Sequence, residues 1–292
     1  MDTYLSSVII GTVVGFISRM VFLQTDVRQY PTYPTGRIIH LSFGLIAAFI
    51  GAVSIPAVIE SDWTAVTFLG LAATQFRDIR AMERETLEKV DEKELVKRGE
   101  AFIEGMAQAF EGRNYLVMFT ALLTSLVSIY NIWLSIIVGF VAMFSAKMIM
   151  KGKYVSQMAR IDEGKVHFKG PNVYVDDILI KNIGLQNRRD QIMERAIGVI
   201  ITPNNIDGVI TLSHTGQRQA MIHHVTSVLG AYLDSGESDL HPLTKRNMED
   251  GRIALFMLPH EKDFKKVKKV LERVPILDSA IRLPSKAFKR GG

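Results

Sequence analysis

Residues 114–146 form a run of thirty-three positions without a charged side chain, flanked by Arg113 on one side and by Lys147, Lys151 and Lys153 on the other. A single upright span needs about 20 apolar residues, so this run is long for one helix and short for two full ones. Basic residues prefer the cytoplasmic ends of spanning helices. Basic flanks at both ends therefore predict a hairpin that turns near Tyr130 and Asn131, with one long tilted helix as the alternative. Residues 5–23, in which Arg19 is the one charge, and the uncharged residues 38–59 predict two further spans, with Arg19 close enough to the end to snorkel toward headgroups. Residues 63–76 are also uncharged, a length that suits a short span, a re-entrant segment or an interfacial helix.

Between these apolar stretches, residues 77–113 carry eight Lys or Arg and ten Asp or Glu, and residues 25–37 carry two Arg. Orientation follows basic residues rather than net charge, so both loops are expected inside. Residues 63–76 must then cross. The outcome is five spans, against four if they do not, with the N-terminus outside and everything after residue 150 in the cytoplasm. No basic stretch precedes residues 5–23 and no small-x-small site follows them, so an uncleaved anchor is expected. Within 77–113, Ile79, Met82, Leu87, Val90 and Leu95 recur at roughly helical spacing among alternating charges, which predicts a solvated helix interrupted at Gly99 and Gly105.

After residue 150 the pattern becomes that of a soluble domain. Residues 165–182 alternate and break at Gly170-Pro171, predicting two or three short strands; residues 196–202 and 208–212 predict two more. Met221, Ile222, Val225, Val228, Leu229, Tyr232 and Leu233 then fall on one face of a helix over 216–234. Residues 253–258 predict a strand, 263–273 a Lys-rich helix and 277–283 a last strand. The order β-β-α-β-α-β implies a two-layer α/β domain with helices on one face of a small mixed sheet. The expected organisation is thus membrane helices over 1–76, a cytoplasmic charged segment over 77–113, a membrane hairpin over 114–150 and a cytoplasmic α/β domain over 151–292.

Composition adds little chemistry. The chain has no cysteine, which fits a reducing compartment and excludes a thiolate metal site. Its formal charge of +5 suits a protein held against an anionic inner leaflet, and no basic patch interleaved with aromatic residues suggests nucleic acid as a partner. Lys, Arg, Asp and Glu other than Arg19 are missing from the predicted spans, which argues against a coupled transporter.

Ala101, Phe102, Ile103, Glu104, Gly105, Met106 and Ala107, followed by Arg113, Asn114, Tyr115 and Leu116, resemble the motif that names the YIEGIA proteins of endospore-forming Firmicutes. Phe102 stands where the name has Tyr and Met106 where it has Ile. The resemblance extends over the whole chain in outline. It implies an association with sporulation and brings no established chemistry, cofactor or catalytic residue.

Three further sets of residues invite a chemical reading. Asp234, Ser235 and Gly236 form the triplet of aspartic proteases, in which two carboxylates share a proton and activate water, so one triplet would need a homodimer. The stretch DSGESDLHPLT is also similar to one in the membrane-embedded aspartic proteases that process a sporulation sigma factor, although Glu237, Asp239 and His241 depart from it. The competing reading makes Gly236 the C-cap of the preceding helix. Gly216, Gln217 and Arg218, at a predicted helix start, could hold an anion, or serve as ordinary cap chemistry. His214, His223, His224 and His241 lie close in sequence, but adjacent His223 and His224 point apart and predict no metal site. Taken together, the sequence predicts a multi-pass protein of the cell membrane whose cytoplasmic domain recruits or senses a protein partner. A membrane-tethered aspartic-type protease is the alternative, and a small-solute transporter comes third.

Overall fold

The computed structural model describes residues 2–26, 34–150, 152–232 and 238–281. It divides into two compact units, one formed by residues 1–85 and 106–151, the other by 86–105 and 152–292. The charged segment 77–113 is therefore shared between the two units.

The first unit is helical. α1 (Asp2–Asp26) and α2 (Pro34–Ile59) run antiparallel: Gly11 lies against Ala52, Gly15 against Ala48, and Gly44 against the Arg19 side chain. α3 (Trp63–Asp91) continues the uncharged stretch 63–76 straight into the charged one. α4 (Glu100–Ser128) and α5 (Ile132–Ile149) make the expected hairpin, with the Asn131 side chain capping α5 by accepting from the Leu134 N–H at 3.0 Å. Three helical segments, Tyr4–Gln24, Gly36–Ile59 and Ile132–Ile149, are long and apolar enough to cross a membrane.

The sorting of residues in this unit is the reverse of a water-soluble protein. On α1, Leu5, Ile9, Val13, Ile17 and Met20 are exposed, whereas Ser7, Gly11, Ser18 and Arg19 are buried. Small residues let the helices approach closely; a side chain at Gly51 would strike the Met118 carbonyl of α4. Hydroxyls bridge the helices, Ser7 Oγ lying 2.8 Å from Ser125 Oγ and Ser125 Oγ donating to the Ala52 carbonyl at 2.7 Å. This is how helices associate where apolar side chains gain nothing by facing inward.

The second unit opens with residues 86–105, covering the end of α3 and the start of α4, and resumes with the one-turn helix α6 (Val155–Met158). β1 (Ala159–Gly164), β2 (Val166–Lys169), β3 (Asn172–Val175) and β4 (Ile178–Asn182) follow, then α7 (Gln186–Arg195), β5 (Ile197–Pro203), α8 (Ile206–Ser213) and α9 (Thr215–Leu229). β6 (Leu243–Arg246), β7 (Ile253–Met257) and α10 (Phe264–Glu272) complete it. The strands form two antiparallel sheets, one ordered β1-β5-β7-β6 and the other β2-β3-β4.

The central strands β5 and β7 read as unbroken apolar runs because both of their faces are buried. Val199, Ile201, Ile253, Leu255 and Met257 enter one core with Met221 and Val225 of α9 and with Val267 and Leu271 of α10. Ile200, Ala254 and Phe256 point the other way, into a core with Val173, Val175 and Ile180 of the three-stranded sheet and Ile192 of α7. The unit is thus three layers deep. The expectation of two layers and a mixed sheet is corrected accordingly.

Several local expectations change as well. Residues 208–212 are helix, not strand: the Asn205 side chain accepts from the Gly208 N–H at 2.9 Å and starts α8, which buries Gly208, Thr211 and Leu212 at helical spacing. The helix expected over 216–234 ends at Leu229, where Gly230 adopts φ 69° and turns the chain so that the Tyr232 N–H reaches the Leu258 carbonyl at 2.7 Å. Residues 277–281 form a short 3-10 turn at Asp278–Ala280 rather than a strand, and 282–283 lie outside the described residues. Gly99, with φ 86°, does break the helix as expected, whereas Gly105 lies within α4. β1, β6 and α7 were not anticipated.

Candidate functional site

The family motif and the candidate anion residues meet in the second unit. Asp91, at the end of α3, is buried and accepts from the Arg98 N–H at 2.7 Å and the Gly99 N–H at 3.2 Å, and Arg98 Nη1 approaches the same carboxylate at 3.4 Å. One carboxylate thereby fixes the elbow from which α4 starts. The first turn of α4 then lies on α9. The Phe102 N–H, in the first turn, is shared between the Gly99 carbonyl and Gln219 Oε1, each at 3.1 Å. Gly216 faces the Ala101 carbonyl so closely that any side chain there would collide with it.

Phe102 is fully buried, with ring centroids 6.0 Å from His223 and 6.2 Å from His224. The two imidazoles stand edge to face, with centroids 6.1 Å apart and planes at 86°. His224 Nδ1 donates to the Ala220 carbonyl at 2.8 Å. His223 is pushed down to about 4, first by burial and then by the charges of Arg98 and His224, with the Val96 backbone and Asp91 working weakly the other way. It is therefore neutral in the folded protein at ordinary pH. No group of three or more His, Asp or Glu among the described residues could hold a metal ion.

Of the anion candidates, two have structural tasks. Gln217 is fully buried, accepting from the Leu277 N–H at 2.8 Å and donating to the Pro275 carbonyl at 3.2 Å, and Gly216 makes room for α4. Arg218 is the third; its Nη2 donates to Thr215 Oγ1 at 3.4 Å. Ile103 and Gly105 are buried in the second unit, Gly105 beside Ser279, and Glu104 is half-buried. Met106, Ala107 and Asn114 are buried in the first unit, where neither amide atom of Asn114 meets a hydrogen-bond partner among the described residues. Asp234, Ser235 and Gly236 lie outside the described residues. α9 itself ends at Leu229 with Gly230 at its cap, short of the helix expected through residue 234.

Sequence reasoning missed a polar cluster inside the helical unit. Arg19 does not snorkel outward: it is 0% exposed, its Nε donates to the His40 carbonyl at 3.3 Å and its Nη2 to His40 Nδ1 at 3.2 Å. Because Nδ1 accepts, Nε2 is left to carry the proton and face Glu83 Oε1 at 3.3 Å. Phe110 closes the cluster, 5.5 Å from the Arg19 guanidinium and 4.6 Å from the His40 ring. Arg113, the flank of the uncharged run 114–146, is likewise buried. The available signal was the i, i+4 pair His40 and Gly44, which places a ring and a gap for Arg19 on one face of α2.

These features define a class of protein: a helical unit with small and polar residues inside and an apolar exterior, joined through α3 and α4 to a three-layer α/β unit. The chain belongs to the YIEGIA protein family, whose model matches residues 7–287. It is 44% identical over 290 residues to the uncharacterized protein YphB of Bacillus subtilis (strain 168), covering 99% of this chain and 98% of that protein. No solved structure matches the chain.

Proposed function

We propose that this chain is a multi-pass membrane protein of sporulating cells with a regulatory task, its α/β unit lying in the cytoplasm and engaging a protein partner. The observation that carries the reading is the seating of the family motif. Residues 100–105 of α4 are built into the α/β unit through Gln219 and Gly216, while residues 106–128 of the same helix belong to the helical unit. An event on the α/β unit that disturbs α9 acts directly on α4. The apolar exterior of the helical unit supports membrane insertion. The sporulation setting is what the resemblance of residues 101–107 to the YIEGIA motif implies.

The test is in-cell photo-crosslinking from exposed positions of the α/β unit, in sporulating and in vegetative cells, with the wild-type chain and with Gln219→Ala. A discrete crosslinked partner specific to sporulating cells is expected with the wild-type chain. It should weaken in the variant although both proteins accumulate in the membrane fraction. Recovery of the chain from the soluble fraction, or crosslinks identical in both cell states and both proteins, overturns the reading. In the same cells Asp234→Asn is expected to behave as wild type.

A further inference from the structure

Arg246 is the last residue of the edge strand β6, paired with Ile253 of β7, and it shares a sheet face with Thr244. That face carries Ile253 and Leu255 and is the one covered by α9. Arg218 lies in the first turns of α9, which packs on β6. Two arginines from packed elements thus sit at the rim of one hydrophobic core, near enough for the charge of Arg246 to act on Arg218.

Neither has a counter-charge among the described residues. Nε of Arg218 and Nε of Arg246 are both shut off from solvent, and neither meets a hydrogen-bond acceptor among the described residues. Neither arginine forms an ion pair among those residues. Arg218 is half-buried, and both burial and the charge of Arg246 act against its cationic form. Arginine does not solve this by losing its proton, since its ordinary pKa lies above about 12. Juxtaposed cations with unmet buried donors are costly to keep, and folded proteins seldom retain such groups without a partner. The Thr215 hydroxyl, already within reach of Arg218, adds a further polar group to the same spot.

We propose that Arg218 and Arg246 together bind a phosphate group, supplied either by a phosphate-bearing solute or by an anionic lipid headgroup. A tetrahedral oxyanion accepts from several N–H groups at once, and arginine's planar fork suits it. The site goes beyond the regulatory reading and does not depend on it. It also differs from the helix-start site suggested by the sequence, because Gly216 and Gln217 are occupied elsewhere and the second cation comes from a distant strand.

The full-length protein in phosphatidylcholine nanodiscs is titrated with inorganic phosphate at constant ionic strength, following the thermal unfolding midpoint and phosphorus-31 line broadening. A parallel arm replaces part of the lipid with phosphatidylglycerol and omits phosphate. The wild-type midpoint is expected to rise in at least one arm. A rise with inorganic phosphate identifies a solute as the source; a rise with phosphatidylglycerol alone identifies the headgroup. Arg218→Met and Arg246→Met should each weaken the apparent affinity about tenfold or more, while Lys245→Met, on the opposite face of the same strand, leaves it unchanged. Should a methionine variant fail to fold, Arg246→Glu decides the matter: by supplying the negative charge within the chain, it should raise the midpoint in the absence of anion and abolish the response. No response in either arm, a response that survives both methionine variants, or an Arg246→Glu protein that still responds like wild type overturns the proposal.

Discussion

The two units place their polar groups in opposite ways. In the helical unit Ser7, Ser18, Arg19, His40, Glu83, Arg113 and Asn114 are inside while Leu5, Ile9, Phe49, Phe68 and Phe119 face outward. In the α/β unit the interiors on both sides of β5 and β7 are apolar, and arginines such as Arg252 pair with carboxylates at the surface. One chain therefore carries two packing strategies. Where the exterior is apolar, helices are held by close backbone approach and buried hydrogen bonds; where it is water, burial of apolar area supplies most of the stability.

The sharpest way to break the first strategy is Gly51→Val. Its Cβ would meet the Met118 carbonyl, which is backbone and cannot rotate away. Separation of α2 from α4 is expected, with a loss of at least about 3 kcal/mol and little folded protein in detergent. The measurement is the recovery of monodisperse protein, with Gly70→Val, where a Cβ meets nothing, as the control.

A comparable loss is expected from Glu83→Leu, which removes the carboxylate facing the buried His40 Nε2. Removing one partner of a buried polar network costs about 3–5 kcal/mol, whereas replacing the charged groups together is far milder. Arg19→Met combined with Glu83→Leu should accordingly unfold at a higher temperature than Glu83→Leu alone. A double variant less stable than the single one would mean that the cluster is not held by charge.

How much of this was legible in the sequence differs between the units for the same reason. The runs at 197–201 and 253–257 announced themselves as strands because both of their faces are apolar. The hairpin turn near Asn131 was equally plain. The inner polar cluster was not, because one Arg in an apolar run looks the same whether it reaches outward to headgroups or inward to a His on another helix. The segment 208–212 was misread because five residues are too few to separate a helical from a strand period, and only the Asn205 cap decides it. The helix from 216 was extended past Leu229 because Val228, Tyr232 and Leu233 keep the period, although Gly230 ends it. The motif's seat on α9 depends on tertiary contacts between residues more than a hundred positions apart, which periodicity cannot report.

A third, intermediate effect concerns pH. His223 titrates at about 4 in the folded protein, below the ordinary histidine value of about 6.5. The unfolded chain then takes up a proton at a higher pH than the folded one. Stability is therefore full above about 6.5 and is lost as pH falls toward 4. After allowance for partial exposure, the loss between pH 7 and pH 5 is about 1–2 kcal/mol. His223→Asn should flatten the unfolding profile across that window, whereas an unchanged slope would place the titration elsewhere.

The smallest effect sharpens the contrast most directly, because it uses the same chemical pair in the other surrounding. Arg252 donates to both oxygens of Asp177, at 3.1 Å and 2.7 Å, and so ties the turn between β3 and β4 to the strand β7 side of the other sheet. That bond, with the charge of Arg252, holds the Asp177 carboxyl below the usual carboxylate range. Its contribution is present above a pH of about 3.9 and is lost as pH falls through the lowered value. Asp177 is more than half exposed, so water and salt screen the pair, and Asp177→Asn should cost no more than about 0.5–1 kcal/mol at low salt. High salt should erase most of that difference but leave the cost of Glu83→Leu intact, because ions screen exposed charges and do not reach the interior of the helical unit. If both differences shrink together, the Arg19 cluster is open to solvent and the division of polar groups between the two units fails.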